Sequence, residues 1–140
     1  MLPLPQQTED AFRFRLDPAS GVPVYRQLID QVLVAIASGA LGPGRQLPTV
    51  RQVSVDLAIN PNTVVRAYKE LEIRGILTTQ QGTGTFIAEN PAVPPDLEKQ
   101  KRLNQIAADA AAKAGAEGLL LDDLISALQE IRGEHPKGRK

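Results

Sequence analysis

The sequence predicts an α+β fold, in which three helices and a two-strand hairpin form one domain and two further helices follow. Three observations lead to this prediction. Apolar residues recur at helical steps, a helix, turn, helix and hairpin follow each other between residues 47 and 87, and a proline-rich stretch precedes an alanine- and leucine-rich end. We expect one domain over 11–90, a helical element over 96–133, and flexible tails at 1–10 and 134–140.

The first helix is predicted to begin near Pro23, because the fixed φ of proline suits the first helical position, and to end at Ser38 before Gly39. Gly42-Pro43-Gly44 then predicts a turn. The apolar residues of this helix lie on one stripe that should face the core: Tyr25, Leu28, Ile29, Val32, Leu33 and Ile36.

Two shorter helices follow, each with a polar N-cap. Thr49 is a good cap for a helix over 50–58, with Val53 and Leu57 on its buried edge. Asn60 caps the next helix, which has Pro61 as its first residue and runs to Arg74 before Gly75. Its apolar residues Val64, Ala67, Tyr68 and Leu71 share one face, whereas Asn62, Val65, Arg66 and Lys69 fall on the opposite face.

The hairpin is predicted from two segments with strand character, 76–80 and 85–87, which Gln81-Gly82-Thr83-Gly84 joins. The glycines are not a dinucleotide fingerprint, because the third glycine is missing and a strand follows them. This order of elements is a winged helix-turn-helix, an architecture that usually places one helix in the major groove of DNA.

The composition of the chain argues against several classes of function. The chain has 140 residues, zero net charge and no cysteine, and its single His135 cannot form a ligand cluster, so we expect no metal and no cofactor. No apolar run approaches the roughly 20 residues that span a bilayer, and no signal peptide is evident, so we expect a cytoplasmic location. Between residues 11 and 90, eight basic residues face six acidic ones, a small excess of two.

The polar face of the third helix offers amide, methyl, guanidinium and ammonium groups, which suit base edges and phosphates. The alternative is an ordinary solvated face, and the adjoining wing favours the DNA-binding interpretation. An enzyme is poorly supported, because His135 lies beside Pro136 in the expected tail, no cysteine is present, and the exposed acidic residues pair with neighbouring bases rather than with each other. A winged helix that binds protein rather than DNA is a third class of function and the alternative to a DNA-binding regulator.

The motifs together resemble the GntR family of bacterial transcription regulators. The matching residues are Leu47-Pro48-Thr49-Val50-Arg51, Asn60-Pro61-Asn62-Thr63-Val64, Tyr68 with Leu71-Glu72, Gly75-Ile76-Leu77, and Gly82-Thr83-Gly84-Thr85-Phe86-Ile87. The short tail is similar to that of the YtrA-like subfamily, whose members tend to dimerise through it and often control transporter operons. The resemblance implies a homodimeric repressor of a nearby operon, with transporter genes among the candidates.

The resemblance also implies roles for single residues. Arg51 matches a DNA-contacting arginine, Thr63 matches a position that contacts phosphate or base, and Gly82 lies where the wing enters the minor groove. Pro61 and Val65 replace base-reading arginines, and Gln80, Gln81 and Thr83 replace basic wing residues, which shifts the expected readout to Asn62, Arg66 and Val65. The predicted DNA contacts are Arg45, Arg51, Asn60, Asn62, Thr63, Val65, Arg66, Lys69, Gln81, Gly82 and Thr83.

The C-terminal segment carries two apolar stripes, a narrow one that includes Ala107 and Ala114 and a broad one. Two helices of this size do not bury both stripes by themselves, so we expect a second copy of the chain to cover them. Packing on the chain's own winged helix is the alternative, against which the linker prolines argue. The C-terminal stripe, predicted to dimerise and thereby to match a palindromic operator in double-stranded DNA, comprises Leu103, Ile106, Ala110, Leu121, Leu124, Ile125, Leu128 and Ile131. The effector is unknown, because no pocket of drug-like size is predictable from so short a tail.

Overall fold

A computed structural model describes residues 12–89 and 95–133. The chain divides into two compact units, Met1–Pro91 and Ala92–Lys140. The first unit contains a 3₁₀ turn at Pro18–Ser20, the helices α1 (Val24–Ser38), α2 (Val50–Leu57) and α3 (Pro61–Ile73), and the strands β1 (Leu77–Gln80) and β2 (Gly84–Ile87). The second contains α4 (Asp96–Ala116) and α5 (Leu121–Arg132). The expected tails and the linker segment 90–94 lie outside the described residues.

The helix α1 forms where the sequence predicts it. Pro23 is its N-cap rather than its first residue, and Gly39 closes it with a φ of 87°, a left-handed conformation that suits glycine. The residues that it buries are Leu28, Ile29, Val32 and Ala35, so the apolar stripe faces the core.

The helix α2 begins with a capping box. The Gln52 amide donates to the Thr49 hydroxyl oxygen at 3.0 Å, and the Thr49 amide donates to Gln52 Oε1 at 2.8 Å. The helix ends at Leu57, one residue before the predicted end, because Ala58 is the C-cap with a φ of 55°. Thus the sequence gives both the start of the helix and, within one residue, its end.

The helix α3 starts as predicted, with the Asn62 amide donating to the Asn60 side-chain oxygen at 2.8 Å and Pro61 in the first position. It ends at Ile73, one residue before the predicted end, because Arg74 is the C-cap and Gly75 takes a φ of 80°. The predicted buried face is confirmed: Val64, Ala67, Tyr68 and Leu71 are all buried.

The wing is the antiparallel hairpin of β1 and β2, in register from Leu77 opposite Ile87 to Gln80 opposite Gly84. Gly84 is part of β2, whereas the sequence placed it in the turn; it pairs with Gln80 at a φ of 140°, so only three residues remain in the turn. The segment before α2 runs along the other edge of β2, with the Leu47 amide donating to the Thr85 carbonyl oxygen and the Ile87 amide donating to that of Arg45, each at 2.8 Å. This pairing, which the sequence analysis missed, ties the wing to the start of α2.

An extended N-terminal segment completes the core of the first unit. Phe14 is buried and lies 6.4 Å from the Tyr68 ring, and Phe12 packs edge-on against Phe14 with ring centroids 4.8 Å apart. The side chain of Gln31 on α1 bonds both the amide and the carbonyl of Arg15, which holds this segment along the helix. The alternation of aromatic and charged residues at 12–15 was the available sequence signal.

The second unit consists of α4 and α5, joined by a turn. Asp123 accepts a hydrogen bond from the Leu120 amide at 2.9 Å at the start of α5, and Gly133 is the C-cap of that helix with a φ of 86°. Neither helix contains a buried residue. The unit has secondary structure but, within residues 95–133, no buried core of its own.

Candidate nucleic-acid interface

The exposed face of α3 is formed by Asn62, Val65, Arg66 and Lys69, all of which lie open to solvent. Val65 is 47% exposed although it is apolar, because the opposite face of the helix already fills the core. Thr63 lies between the two faces and is half-buried. The leading end of this helix therefore presents a methyl surface, an amide and two cations within two turns, as a base-reading helix needs.

The Arg66 side chain contacts an aromatic ring of another helix. The central carbon of its guanidinium lies over the ring of Tyr25 on α1, 3.7 Å from the ring centroid. Tyr25 was predicted from its helical spacing to belong to the core stripe alone, whereas in the structure it is half-buried beneath Arg66. Side chains from two helices, far apart in the chain, thus form one cation–π pair that no spacing rule predicts.

Arg51 lies in the first turn of α2 and is exposed, and a buried tyrosine fixes the chain just ahead of that helix. The Tyr68 hydroxyl donates to the Pro48 carbonyl oxygen at 2.6 Å. Burial raises the pKa of Tyr68 well above its ordinary value, because the phenolate would lose its water. This hydrogen bond joins α3 to the start of α2, the two elements that carry most of the predicted DNA contacts.

The tip of the wing consists of Gln81, Gly82 and Thr83, all exposed. The Thr83 amide donates to the Gln80 carbonyl oxygen at 2.9 Å, and Gly82 has a φ of 78°, so the tip is a tight turn that uses the freedom of glycine. Gln46 Nε2 donates to the Thr83 carbonyl oxygen at 3.1 Å and lies where a Cβ at Gly84 would clash. Gln46 therefore holds the wing tip in place, a role that no local sequence signal indicated.

Ion pairing separates two groups of cations in the first unit. Arg26 and Arg74 are paired with Asp30 and Glu70 on their own helices, at 3.8 and 3.2 Å. No such pair, within the described residues, involves the cations predicted to contact DNA, namely Arg45, Arg51, Arg66 and Lys69. These four, together with Arg13 and Arg15, which also make no ion pair among the described residues, carry the excess positive charge of the unit.

A cleft of about 820 Å³ opens beside α2. Its walls combine apolar side chains of the N-terminal segment and α2 with the guanidinium groups of Arg13, Arg45 and Arg51. Two of these three arginines are predicted DNA contacts, so the cleft borders that surface. In the described part of the chain, no His, Cys, Asp or Glu cluster is suited to a metal ion, and no helix is long and apolar enough to cross a membrane.

A helix-turn-helix with an exposed polar face on its second helix, closed by a braced wing, defines the class of winged-helix transcription regulators that bind double-stranded DNA. The family of bacterial regulatory proteins called gntR matches residues 24–87. The HTH-type transcriptional repressor YtrA of Bacillus subtilis (strain 168) is 35% identical over 126 residues, which are 90% of this chain and 97% of YtrA. The chain therefore belongs to the GntR family.

Solved structures agree with this assignment. A transcriptional regulator from Oenococcus oeni is 34% identical, with a TM-score of 0.55, and the match covers 83% of this chain and 96% of that one. YtrA from Sulfolobus acidocaldarius, a GntR-family transcription factor, is 29% identical, with a TM-score of 0.52, over 71% of this chain and 97% of its own. The predicted family, the winged-helix fold and the likeness to YtrA are confirmed, and a DNA-binding regulator is preferred over a protein-interaction module.

Proposed function

We propose that the chain is a homodimeric repressor that places α3 in the major groove of each half of a palindromic operator. The observation that carries this proposal is the division of α3, whose one face fills the core while its other face presents exposed polar groups and two cations. Arg51 and Arg45 would bind phosphates beside α3, and the wing would enter the minor groove. The proposed contacts are those predicted above: Arg45, Arg51, Asn60, Asn62, Thr63, Val65, Arg66, Lys69, Gln81, Gly82 and Thr83.

The residues of this set differ in whether they are suited to contact bases or phosphates. The side-chain oxygen of Asn60 already accepts the capping hydrogen bond of α3, whereas its amide NH₂ makes no hydrogen bond to another described residue and is available to DNA. Asn62, Val65 and Arg66 are the candidates for base contact, because they lie in the first two turns of α3 and are exposed. Lys69 lies one turn further along and is better suited to a phosphate.

The dimer is proposed from the second unit. Nine large apolar side chains of residues 95–133 are exposed, among them Ile106 at 64% and Leu128 at 55%. Proteins rarely leave so many large apolar side chains of one small unit open to water, and a second copy of the same two helices presents a surface of the same chemistry. We assign dimerisation to the C-terminal stripe, with the winged helix over 11–90 and the dimerisation element over 96–133 as separate domains.

Repression is proposed because the Bacillus subtilis relative, which this chain matches over 97% of its length, is itself a transcriptional repressor. A dimer that occupies a promoter blocks polymerase without any further domain. We expect the protein to act in the cytoplasm, where its DNA target lies, and to have no catalytic turnover, because binding alone accounts for the function of such a regulator.

The test is selection of bound fragments from the source genome by the full-length protein. The proposal expects one recurring palindromic site, with half-sites separated by about one helical turn or a multiple of it, close to a promoter. A purified duplex of that site should bind with a strong dependence on salt. Recovery of fragments without a shared sequence, or of a site without two-fold symmetry, would contradict it.

A further inference from the structure

The pair formed by Arg66 and Tyr25 joins a proposed base-reading side chain to a helix that has no other part in the interface. The guanidinium carbon lies 3.7 Å from the centroid of the Tyr25 ring. We propose that Tyr25 is a positioning residue for sequence readout, whose ring holds the Arg66 guanidinium in the orientation that reads a base edge. This inference rests on the proposed function, in which α3 enters the major groove.

The Tyr25 ring limits the rotamer freedom of the Arg66 side chain. An exposed arginine samples many rotamers and must give up that freedom when it binds a base. A ring beneath the guanidinium removes part of the freedom before DNA arrives, so less is lost on binding. Arg66 is exposed and, within the described residues, makes no ion pair, so the Tyr25 ring is the group that fixes its head.

The contact with Tyr25 leaves the N–H donors of the Arg66 guanidinium available. A guanidinium that lies over a ring uses its face for the contact and keeps its N–H groups at the edge. No hydrogen bond joins those N–H groups to another described residue of the chain. The edge is the part that forms the bidentate pair with the acceptors of a guanine, so stacking and readout do not compete for the same atoms.

Tyr25 could also act through packing alone. It is half-buried at the edge of the core, next to α3, and its neighbour Arg26 is turned away and paired with Asp30 on α1. A role in packing alone would require only an apolar side chain of similar size at this position. The test must therefore separate loss of the ring from loss of packing.

The experiment is a double-mutant cycle in the full-length protein, with the duplex that the wild-type protein selects from the genome. Affinity is measured for that duplex and for duplexes changed at single base pairs, which locates the base pair whose discrimination is lost in Arg66→Ala. Tyr25→Leu removes the ring, and Tyr25→Phe keeps it. Lys69→Ala is the matched control, because Lys69 lies on the same face of α3 without a ring beneath it.

We expect Tyr25→Leu to reduce discrimination at that base pair by roughly two- to fivefold per half-site, the range of one exposed cation–π pair. Tyr25→Phe should retain wild-type discrimination. The effect of Tyr25→Leu should vanish when Arg66 is already alanine, but it should add fully to that of Lys69→Ala. Thermal unfolding checks that each variant is folded, and Tyr25→Met, which preserves bulk, replaces Tyr25→Leu if the latter is not.

Three results would overturn the inference. Additive effects of Tyr25→Leu and Arg66→Ala would show that the two side chains act independently. An equal loss of affinity for every duplex would reduce Tyr25 to a packing role, and a loss in Tyr25→Phe as large as that in Tyr25→Leu would assign the effect to the hydroxyl. If the wild-type protein selects no sequence, the proposed function fails as well, which distinguishes that outcome from the other three.

Discussion

The two units of the chain carry similar amphipathic helices but bury them to different degrees. Among the described residues of the first unit, fourteen apolar side chains are buried, and five have no exposed surface at all: Leu28, Val32, Val64, Ala67 and Leu71. In the second, none of the described residues is buried, although its helices also place apolar residues on one face. Amphipathic helices alone therefore do not make a core.

The difference lies in what covers each helix. In the first unit, α1 packs against α3, α3 packs against α2 and the wing, and Phe14 adds a further layer. In the second unit, the described residues 95–133 form only α4 and α5, and this pair of helices has no second layer to bury its apolar side chains. The first unit therefore has a buried core of its own, and we propose that a partner covers the second, so that DNA recognition and assembly belong to different units.

The largest effect should follow from removing the second unit. A chain cut after Pro95 keeps the whole buried core, so it should remain folded and bind a single half-site weakly. Its affinity for the full operator should fall by about 10² to 10⁴, because the second half-site is no longer tethered. Titration against whole and half operators checks this, and equal affinity of the two proteins for the whole operator would contradict it.

A single charge in the C-terminal stripe should have a similar but smaller effect. Leu124→Glu would place a carboxylate without a partner in the proposed interface, so the dimer should dissociate with a constant raised on the order of 100-fold. Sedimentation as a function of concentration measures that constant. Ser126→Glu adds the same charge to the opposite face of α5 and should leave the mass unchanged. If the two variants had the same dissociation constant, the C-terminal stripe would not be the dimer interface.

Within the first unit, Arg66→Ala should cost about 1 to 3 kcal/mol of binding free energy and relax specificity at one base pair in each half-site. Arg51→Ala should instead weaken binding to every sequence equally, because a phosphate contact carries no sequence information. Competition assays with changed duplexes separate the two results. A uniform loss from Arg66→Ala would mean that Arg66 contacts the backbone.

The hydrogen bond from Tyr68 to Pro48 should contribute to the stability of the first unit. Tyr68→Phe should lower its free energy of unfolding by about 1 kcal/mol, because the Pro48 carbonyl loses its donor. The pKa of Tyr68 is raised in the folded state, so the unfolded chain ionises first and stability should fall as the pH rises above about 10. Urea denaturation at neutral and alkaline pH measures both, and the alkaline loss should shrink in the variant.

The smallest effect concerns the wing. Its tip carries no charge, so Gln81→Arg should steepen the slope of log affinity against log salt by about one, as one added phosphate contact does. Thr78→Arg, which adds the same charge to β1 away from the tip, serves as the control. An unchanged slope in Gln81→Arg would place the wing tip away from DNA.

Most of the first unit could be predicted from local sequence signals. Thr49 and Asn60 are caps whose side chains bond the next helical amides, and such bonds depend only on residues two or three positions away. The ends of α2 and α3 differ from prediction by one residue for the same local reason, since Ala58 and Arg74 take the capping positions. Helical periodicity likewise identified the buried face of α3.

What the sequence did not predict are contacts between distant segments. The Arg66 stack on Tyr25, the Gln46 brace on Thr83 and the pairing of residues 45–47 with β2 join positions that are far apart in the chain. Each of these contacts depends on how the helices pack, and no local pattern encodes it. Their common effect is to fix the proposed contact residues in place, so the site is less predictable than the fold.

Sedimentation velocity of the full chain beside the chain cut after Pro95 tests the division between the units most directly. The account predicts a full-length dimer of about 30 kDa, twice the 15.1 kDa of one chain, and a truncated protein that sediments as a folded monomer. A truncated protein that still sediments as a dimer, or a full-length chain that sediments as a monomer at micromolar concentration, would contradict it.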